Sequence, residues 1–280
     1  MRSVLFQIGP VPIRAYGFML WIALVVGLAL TLRRGRRAEI TSSHIVDVAL
    51  YGLVAGIVAA HITSILLDLR YYLANPKEVF GLWTGLFSRS GGLRGLSFHG
   101  GLAGGVLATL LYCRKKRLSF LRLADLFSPA LALGYAITRI GCFLNGCCYG
   151  IPTNLPWAVR FRVAPDSSVL TLPSHPTQLY AVVSNLIILW LLFLIEKRQR
   201  FTGQIFVSYL ALYSVYRFLI EFLRRGVTAE IAFAGLTQAQ VVSLLILGVT
   251  IPIMVKGLLL KSGAVQQCRD ARRAHSGSKR

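Results

Sequence analysis

The chain predicts an all-α polytopic membrane protein of about seven transmembrane helices, N-terminus outside and C-terminus cytoplasmic, with a small extracytoplasmic arm. Three observations carry this expectation. Hydrophobic residues make up 55% of the 280 and charged residues only 15%, where a soluble domain carries roughly 25% charged residues. Mean hydropathy is +0.63. Thirty-one Lys and Arg stand against ten Asp and Glu, a net charge of +21, and the bases alternate with long apolar runs. The apolar content excludes disorder, and the shortage of acids excludes an ordinary soluble enzyme. The alternation excludes nucleic acid as the partner of the charge.

A span needs about 20 mostly apolar residues. Seven stretches qualify, at roughly 16–32, 45–67, 98–113, 123–144, 178–195, 203–222 and 238–258. Only Arg2 precedes the first, with no short apolar core and no cleavage site, so that stretch reads as a span and not as a signal peptide. Arg33, Arg34, Arg36 and Arg37 follow the first stretch. Arg114 to Arg117 follow the third, Lys197, Arg198 and Arg200 the fifth, and Arg272, Arg273, Lys279 and Arg280 end the tail. Every cluster follows an odd-numbered stretch. With Arg122, Lys256, Lys261 and Arg269 added to these, the positive-inside rule places nineteen of the thirty-one bases in the cytoplasm.

The opposite face holds two long connections, 68–97 and 149–177, of a length that is usually functional or carries structure of its own. The second contains Trp157, Arg160, Phe161, Arg162 and the turn-rich Ala164-Pro165-Asp166-Ser167, and reads as the folded arm. Residues 1–260 form one integral membrane domain. The basic tail, 261–280, is expected to be disordered.

Ionisable groups inside spans face a cavity or a partner. Arg217 and Glu221 are spaced i, i+4, on one helix face with Tyr213 four residues earlier. They are either an internal salt bridge and nothing more or one wall of a polar cleft. Arg139 is the stronger candidate, because a guanidinium keeps its charge and forks onto phosphate or carboxylate oxygens. Gly141, Gly146 and Gly150 beside it permit broken backbone, which membrane depth tolerates only where protein shields it or a cavity opens. The plainer reading is a snorkelling arginine with packing glycines. His99 is a candidate base or donor, although a lone histidine at a helix start is more often structural. His175 is comparable, and His61, beside Ala59 and Ala60, reads as packing. Cys142, Cys147 and Cys148 lack zinc-ribbon spacing. They read first as packing residues, then as redox-active or bridged thiols, and last as metal ligands.

The runs Ser97–Gly101, Arg139–Gly150, His175–Tyr180 and Tyr213–Arg224 occur in that order, after Gly9-Pro10 and Tyr16-Gly17. Together they resemble the bacterial prolipoprotein diacylglyceryl transferases, from about residue 5 to 258. The resemblance implies an enzyme of the bacterial inner membrane, multi-pass, with its active site toward the outer leaflet. Such an enzyme moves the diacylglyceryl group of phosphatidylglycerol onto the lipobox cysteine thiol of a preprolipoprotein, and a thioether forms as glycerol phosphate leaves. It implies catalytic roles for Tyr16, His99, Arg139, Arg217 and Glu221. Asn145, Gly150, His175, Tyr180 and Tyr213 would bind substrate beside Arg139. Its partners are phosphatidylglycerol, lipobox signal peptides and membrane lipids, with no nucleic acid, no metal and no cofactor.

The chain departs from the common family pattern at several points. Cys142 stands in place of Asn and Cys147 in place of an acid, in a Cys-Cys-Tyr-Gly form that marks one branch. Arg94, His61, Ala181 and Arg225-Gly226 also depart. A divergent paralogue with another acceptor, or a multispan anion or lipid transporter, are the alternative readings. No internal repeat of the kind common in transporters is visible. A scaffold role would leave the intramembrane Arg and Glu without purpose beyond pairing.

Overall fold

The computed structural model describes residues 4–8, 11–80, 96–162, 169–224, 231–233 and 235–277. Arg94, Arg225, Gly226, Gly9-Pro10 and the Ala164–Ser167 turn lie outside the described residues. Each of the seven apolar stretches falls in a helix of at least 18 residues. These are α1 (Ala15–Arg37), α2 (Ser42–Leu67), α4 (Phe98–Lys116), α5 (Phe120–Asn145), α6 (Thr177–Glu196), α7 (Gln204–Glu221) and α8 (Gln238–Gly277). A short α3 (Leu69–Ala74) and a 3-10 turn (Pro76–Phe80) occupy the first long connection.

Five of these helices are long and apolar enough to cross a membrane, by length and composition: α1, α2, α5, α6 and the Gln238–Leu259 part of α8. The two less apolar ones have visible reasons. Four glycines interrupt α4, while α7 carries tyrosines, Arg217 and Glu221. Large apolar side chains point outward along the bundle, among them Trp21 (59% exposed), Trp190 (60%) and Leu245 (66%). Apolar exposure on this scale is stable only against lipid or another apolar surface.

The structure adds two features to the all-α expectation. β1 (Val4–Ile8) and β2 (Val11–Arg14) form an antiparallel hairpin ahead of α1, and β3 (Ile231–Phe233) pairs with β4 (Leu236–Thr237) ahead of α8. These strands are too short to register as periodic patterns. The α8 backbone also runs on through residues 261–277, where the sequence predicts a disordered tail.

Small residues set the helix contacts. The Gly100-Gly101 and Gly104-Gly105 pairs of α4, four residues apart, lie against Gly52, Gly56, Ala59 and Thr63 of α2. Backbones approach this closely only where side chains are minimal, and packing then replaces the hydrophobic drive that lipid removes. Antiparallel α1 and α5 meet in the same way, with Gly27 on Ala130, Ala23 on Gly134, and Tyr16 and Met19 on Gly141. One apolar core joins α5, α6 and α7 through Ala132, Ile188, Ile205 and Tyr216. Another joins α2, α4 and α5 through Ile45, Tyr112 and Leu126.

A polar network closes the end of the bundle that carries the basic clusters. Arg34, counted among the sequence's surface anchors, turns inward and pairs with Glu196 at 2.8 Å, while its other nitrogen donates to the Asp125 carbonyl at 3.2 Å. The Asp125 carboxylate accepts from Gly203 N at 2.6 Å and Phe206 N at 2.8 Å. It thereby satisfies amides that the first turn of α7 cannot pair. Asp125 and Arg139 are both on α5, and the rise per residue puts them about 21 Å apart along the axis. The second polar cluster is therefore a separate feature, at the other end.

A Cβ on Gly104 would overlap Ala59 Cβ and lie 2.8 Å from the Ala55 carbonyl oxygen, whereas nothing lies within 4 Å of one on Gly17. Gly104→Ala is expected to destabilise the detergent-solubilised protein by about 1–3 kcal/mol, read as a lowered midpoint of thermal unfolding. Gly17→Ala is expected to leave it unchanged or slightly raised. Equal midpoints for the two variants would show that the α2–α4 seam is not close-packed.

Candidate active site

The site begins where α5 ends. Gly146 caps the helix in the left-handed conformation (φ 74°), with its amide bonded to the Phe143 carbonyl and the Cys147 amide to that of Cys142. The chain then runs through Cys147 to Gly150 without helical hydrogen bonds of its own, and α6 supplies them. Thr177 Oγ1 donates to the Cys148 carbonyl and Gln178 Nε2 to the Cys147 carbonyl, both at 2.7 Å. The Gly150 amide bonds to the His175 carbonyl at 2.9 Å, and Gly150 pairs with Arg224 beyond the end of α7. A Cβ on Gly150 would overlap the Leu223 carbonyl oxygen and lie 2.8 Å from Thr177 Cγ2. Only glycine fits where three chain segments converge.

Arg139 stands on the last turns of α5, half-buried. Its Nη2 donates to the Tyr135 hydroxyl at 2.6 Å, and its guanidinium carbon lies 4.7 Å from the centre of the same ring. Tyr135 meets the Tyr213 ring at 5.4 Å and the Tyr216 ring at 6.3 Å, both on α7. Tyr216 lies within Coulombic range of both Arg139 and Arg217. Arg217 is ion-paired with Glu221, whose side chain is fully buried and whose other oxygen has no partner among the described residues. The other ion pair among the described residues is Arg34–Glu196, so among those residues Arg139 has a tyrosine and no carboxylate against its guanidinium. A guanidinium stays charged and presents a planar fork of donors that matches carboxylate or phosphate oxygens.

Tyr16 joins from α1. Its backbone abuts Gly141, and its ring lies within Coulombic range of Arg139 and the three cysteines. Asn145 reaches the Cys147 thiol. The arm is anchored by fully buried Phe161, stacked on Tyr149 at 4.9 Å and edge-on to Phe143 at 6.1 Å. Tyr180 links His175 Nδ1 (3.2 Å) to Trp157 Nε1 (2.7 Å), so the arm and the first turn of α6 share one aromatic corner. His99 is exposed in the first turn of α4, edge-on to Phe98 at 5.8 Å. Topology brings it to this end of the bundle, but on the α2–α4 limb, and the side chains bonded to Arg139 and Arg217 are Tyr135 and Glu221. His61 accepts the packing reading, with Nε2 at 2.8 Å from the Val79 carbonyl and its ring edge-on to Tyr72.

Sequence reasoning missed Tyr135 and Tyr216. The signal for Tyr135 was its spacing, four residues before Arg139 on one helix face. The clamping roles of Thr177 and Gln178 carry no local signal, because their partners are about thirty residues away. Hydrogen bonding with the Cys142 and Cys147 thiols draws the Cys148 thiol pKa well below its ordinary value, helped by the charges of Arg139 and Arg224 and opposed by burial.

The fold and the site define a multi-pass membrane protein with an arginine set against tyrosine and a buried ion pair at one end of its bundle. Comparison with known proteins makes this specific. The family model "Prolipoprotein diacylglyceryl transferase" matches residues 3–256. A phosphatidylglycerol–prolipoprotein diacylglyceryl transferase of Bordetella parapertussis is 36% identical, over 86% of this chain and 89% of its own. One from Finegoldia magna is 33% identical over 94% and 99%, and one from Clostridium tetani 29% over 89% and 96%. The chain belongs to the prolipoprotein diacylglyceryl transferase family, and is a transferase.

Breaking a buried pair from one side leaves an uncompensated charge, at a cost of about 3–5 kcal/mol. Glu221→Ala is therefore expected to lower the yield of folded protein and its unfolding midpoint sharply. The double variant R217M/E221L should recover stability while remaining inactive. A stable Glu221→Ala protein would mean that Arg217 is solvated.

Proposed function

We propose that this chain transfers the diacylglyceryl group of phosphatidylglycerol to the lipobox cysteine thiol of a preprolipoprotein, making a thioether and releasing glycerol phosphate. The observation that carries the reading is Arg139, partly desolvated at the bundle end with tyrosine but, among the described residues, no carboxylate against it, beside the Arg217–Glu221 pair. The names of the relatives in Bordetella, Finegoldia and Clostridium support the same substrates.

On this reading the lipid phosphate sits against Arg139, with Arg217 close by and Glu221 fixing the Arg217 side chain. As the acceptor sulfur attacks the glyceryl carbon, the carbon–oxygen bond to phosphate breaks and charge grows on the departing phosphate. Preorganised guanidinium groups stabilise that charge without the reorganisation water would need. Tyr16, Tyr213 and Asn145 line the reaction space, Gly150 keeps its floor open, and His175 and Tyr180 present the arm to the acceptor peptide. His99 is the candidate base for the thiol proton. The seven long helices are seven spans, N-terminus outside. The enzyme lies in the bacterial inner membrane with this end of the bundle at the outer leaflet, where the basic clusters at the other end favour the cytoplasmic side.

Purified protein incubated with phosphatidylglycerol and a lipobox peptide is expected to yield a diacylglyceryl peptide, read by mass spectrometry. Arg139→Ala should lower turnover by about two to three orders of magnitude, the usual cost of removing a charge-stabilising donor. His99→Ala should likewise abolish turnover, with both proteins still present in the membrane. No product beside an active relative assayed in parallel would refute the function. Full turnover by both variants would refute the site.

A further inference from the structure

The mechanism above leaves the cysteine cluster unused. Cys142 is buried on the last turn of α5, one turn beyond Arg139. Cys147 and Cys148 lie in the loop that follows, and their three sulfurs lie within 4.8 Å of one another. All three are free thiols. Packing alone would not bring them together so closely, since Cys148 is exposed and its backbone is left-handed (φ 64°), an unfavourable state for a side chain with a Cβ. The loop is held in that shape by the Thr177 and Gln178 bonds to the two cysteine carbonyls. The fold thus fixes from outside the position of three soft ligands.

We propose that Cys142, Cys147 and Cys148 bind one soft divalent cation of the zinc type as thiolates, with the fourth coordination position left for the acceptor cysteine. A tetrahedral zinc–thiolate set, with bonds of about 2.3 Å, spaces its sulfurs about 3.8 Å apart. Thiols already within 4.8 Å reach that spacing with small rotations. No His, Asp or Glu among the described residues completes the group, and three protein ligands plus an open position is the arrangement of catalytic zinc sites. Thiolate ligands select soft or borderline ions. Cys148, the exposed member, opens the site to the surface.

This rests on the transfer reading above and deepens it. A thiol that coordinates such an ion gives up its proton, here to a base or to water. Its sulfur then attacks the glyceryl carbon, the new carbon–sulfur bond replaces the carbon–oxygen bond, and the electron pair leaves on glycerol phosphate. The ion stays in place, and no electron enters or leaves the set. The Cys142 position, one turn from Arg139, puts the activated sulfur beside the phosphate that must depart.

The test uses full-length protein in detergent under reducing conditions, titrated with Co2+. A single cobalt ion per chain should bind, with a sulfur-to-cobalt charge-transfer band and the intense d–d bands of tetrahedral cobalt. Zn2+ should displace it. C142S/C147S/C148S should lose the bands, while Cys113→Ser, at a buried thiol between α2 and α5, should keep them. A lipobox peptide should shift the d–d bands, and its Cys→Ser analogue should not. No charge-transfer band from protein whose thiols titrate as free, or a disulfide within the trio in protein isolated from membranes, overturns the site. Bands indifferent to the cysteine peptide overturn the acceptor role. Because cobalt binding needs no turnover, it separates the two readings. Binding without diacylation retains the site and removes the function, and diacylation without binding does the reverse.

Discussion

Backbone that leaves a helix inside a membrane protein must find hydrogen-bond partners within the protein, since lipid offers none. Much of this structure follows from how the chain meets that demand after Asn145. Gly146 ends α5, and the Cys147 and Cys148 carbonyls are taken up by side chains from the first turn of α6. Gly150 is taken up by the His175 carbonyl and the Arg224 segment. One unwound loop therefore ties α5, α6, the arm and the end of α7 together. Arg139, the Arg217–Glu221 pair and the three thiols gain fixed relative positions from that junction.

The second organising force is the cost of charge at depth. Glu196 meets Arg34 at one end of the bundle and Glu221 meets Arg217 at the other. Among the described residues, Arg139 has an aromatic ring and its hydroxyl in place of a carboxylate. Two of these arginines are ion-paired within the protein, and the third is the one the proposed function assigns to the lipid phosphate.

Small residues explain why the helices can come close enough for this. The glycine pairs of α4 and the Gly27, Gly134 and Gly141 contacts of α1 with α5 bring backbones together where bulky side chains would hold them apart. The last of these contacts also sets Tyr16 beside Arg139. The seam and the site are thus one arrangement, and a methyl group added to the seam would be felt at the site.

The sequence by itself determined the membrane class, the approximate bounds of six of the seven long helices and the start of the seventh, and the shared helix face that lets Arg217 pair with Glu221. Each follows from local information: apolar run length, cluster spacing, or an i, i+4 step on one helix. It also marked Arg139 as out of place in lipid. It did not reveal the two short hairpins, the inward turn of Arg34, or Tyr135 and Tyr216 as the setting of the arginines. Nor did it foresee that Thr177 and Gln178 hold the cysteine loop, or that three cysteines with unpromising spacing would converge. The partners of Arg34, Tyr216, Thr177 and Gln178 are far apart in the chain and meet only when the helices pack. The cysteine loop takes its shape from its bonds to α6, and the hairpins are too short to leave a periodic signal.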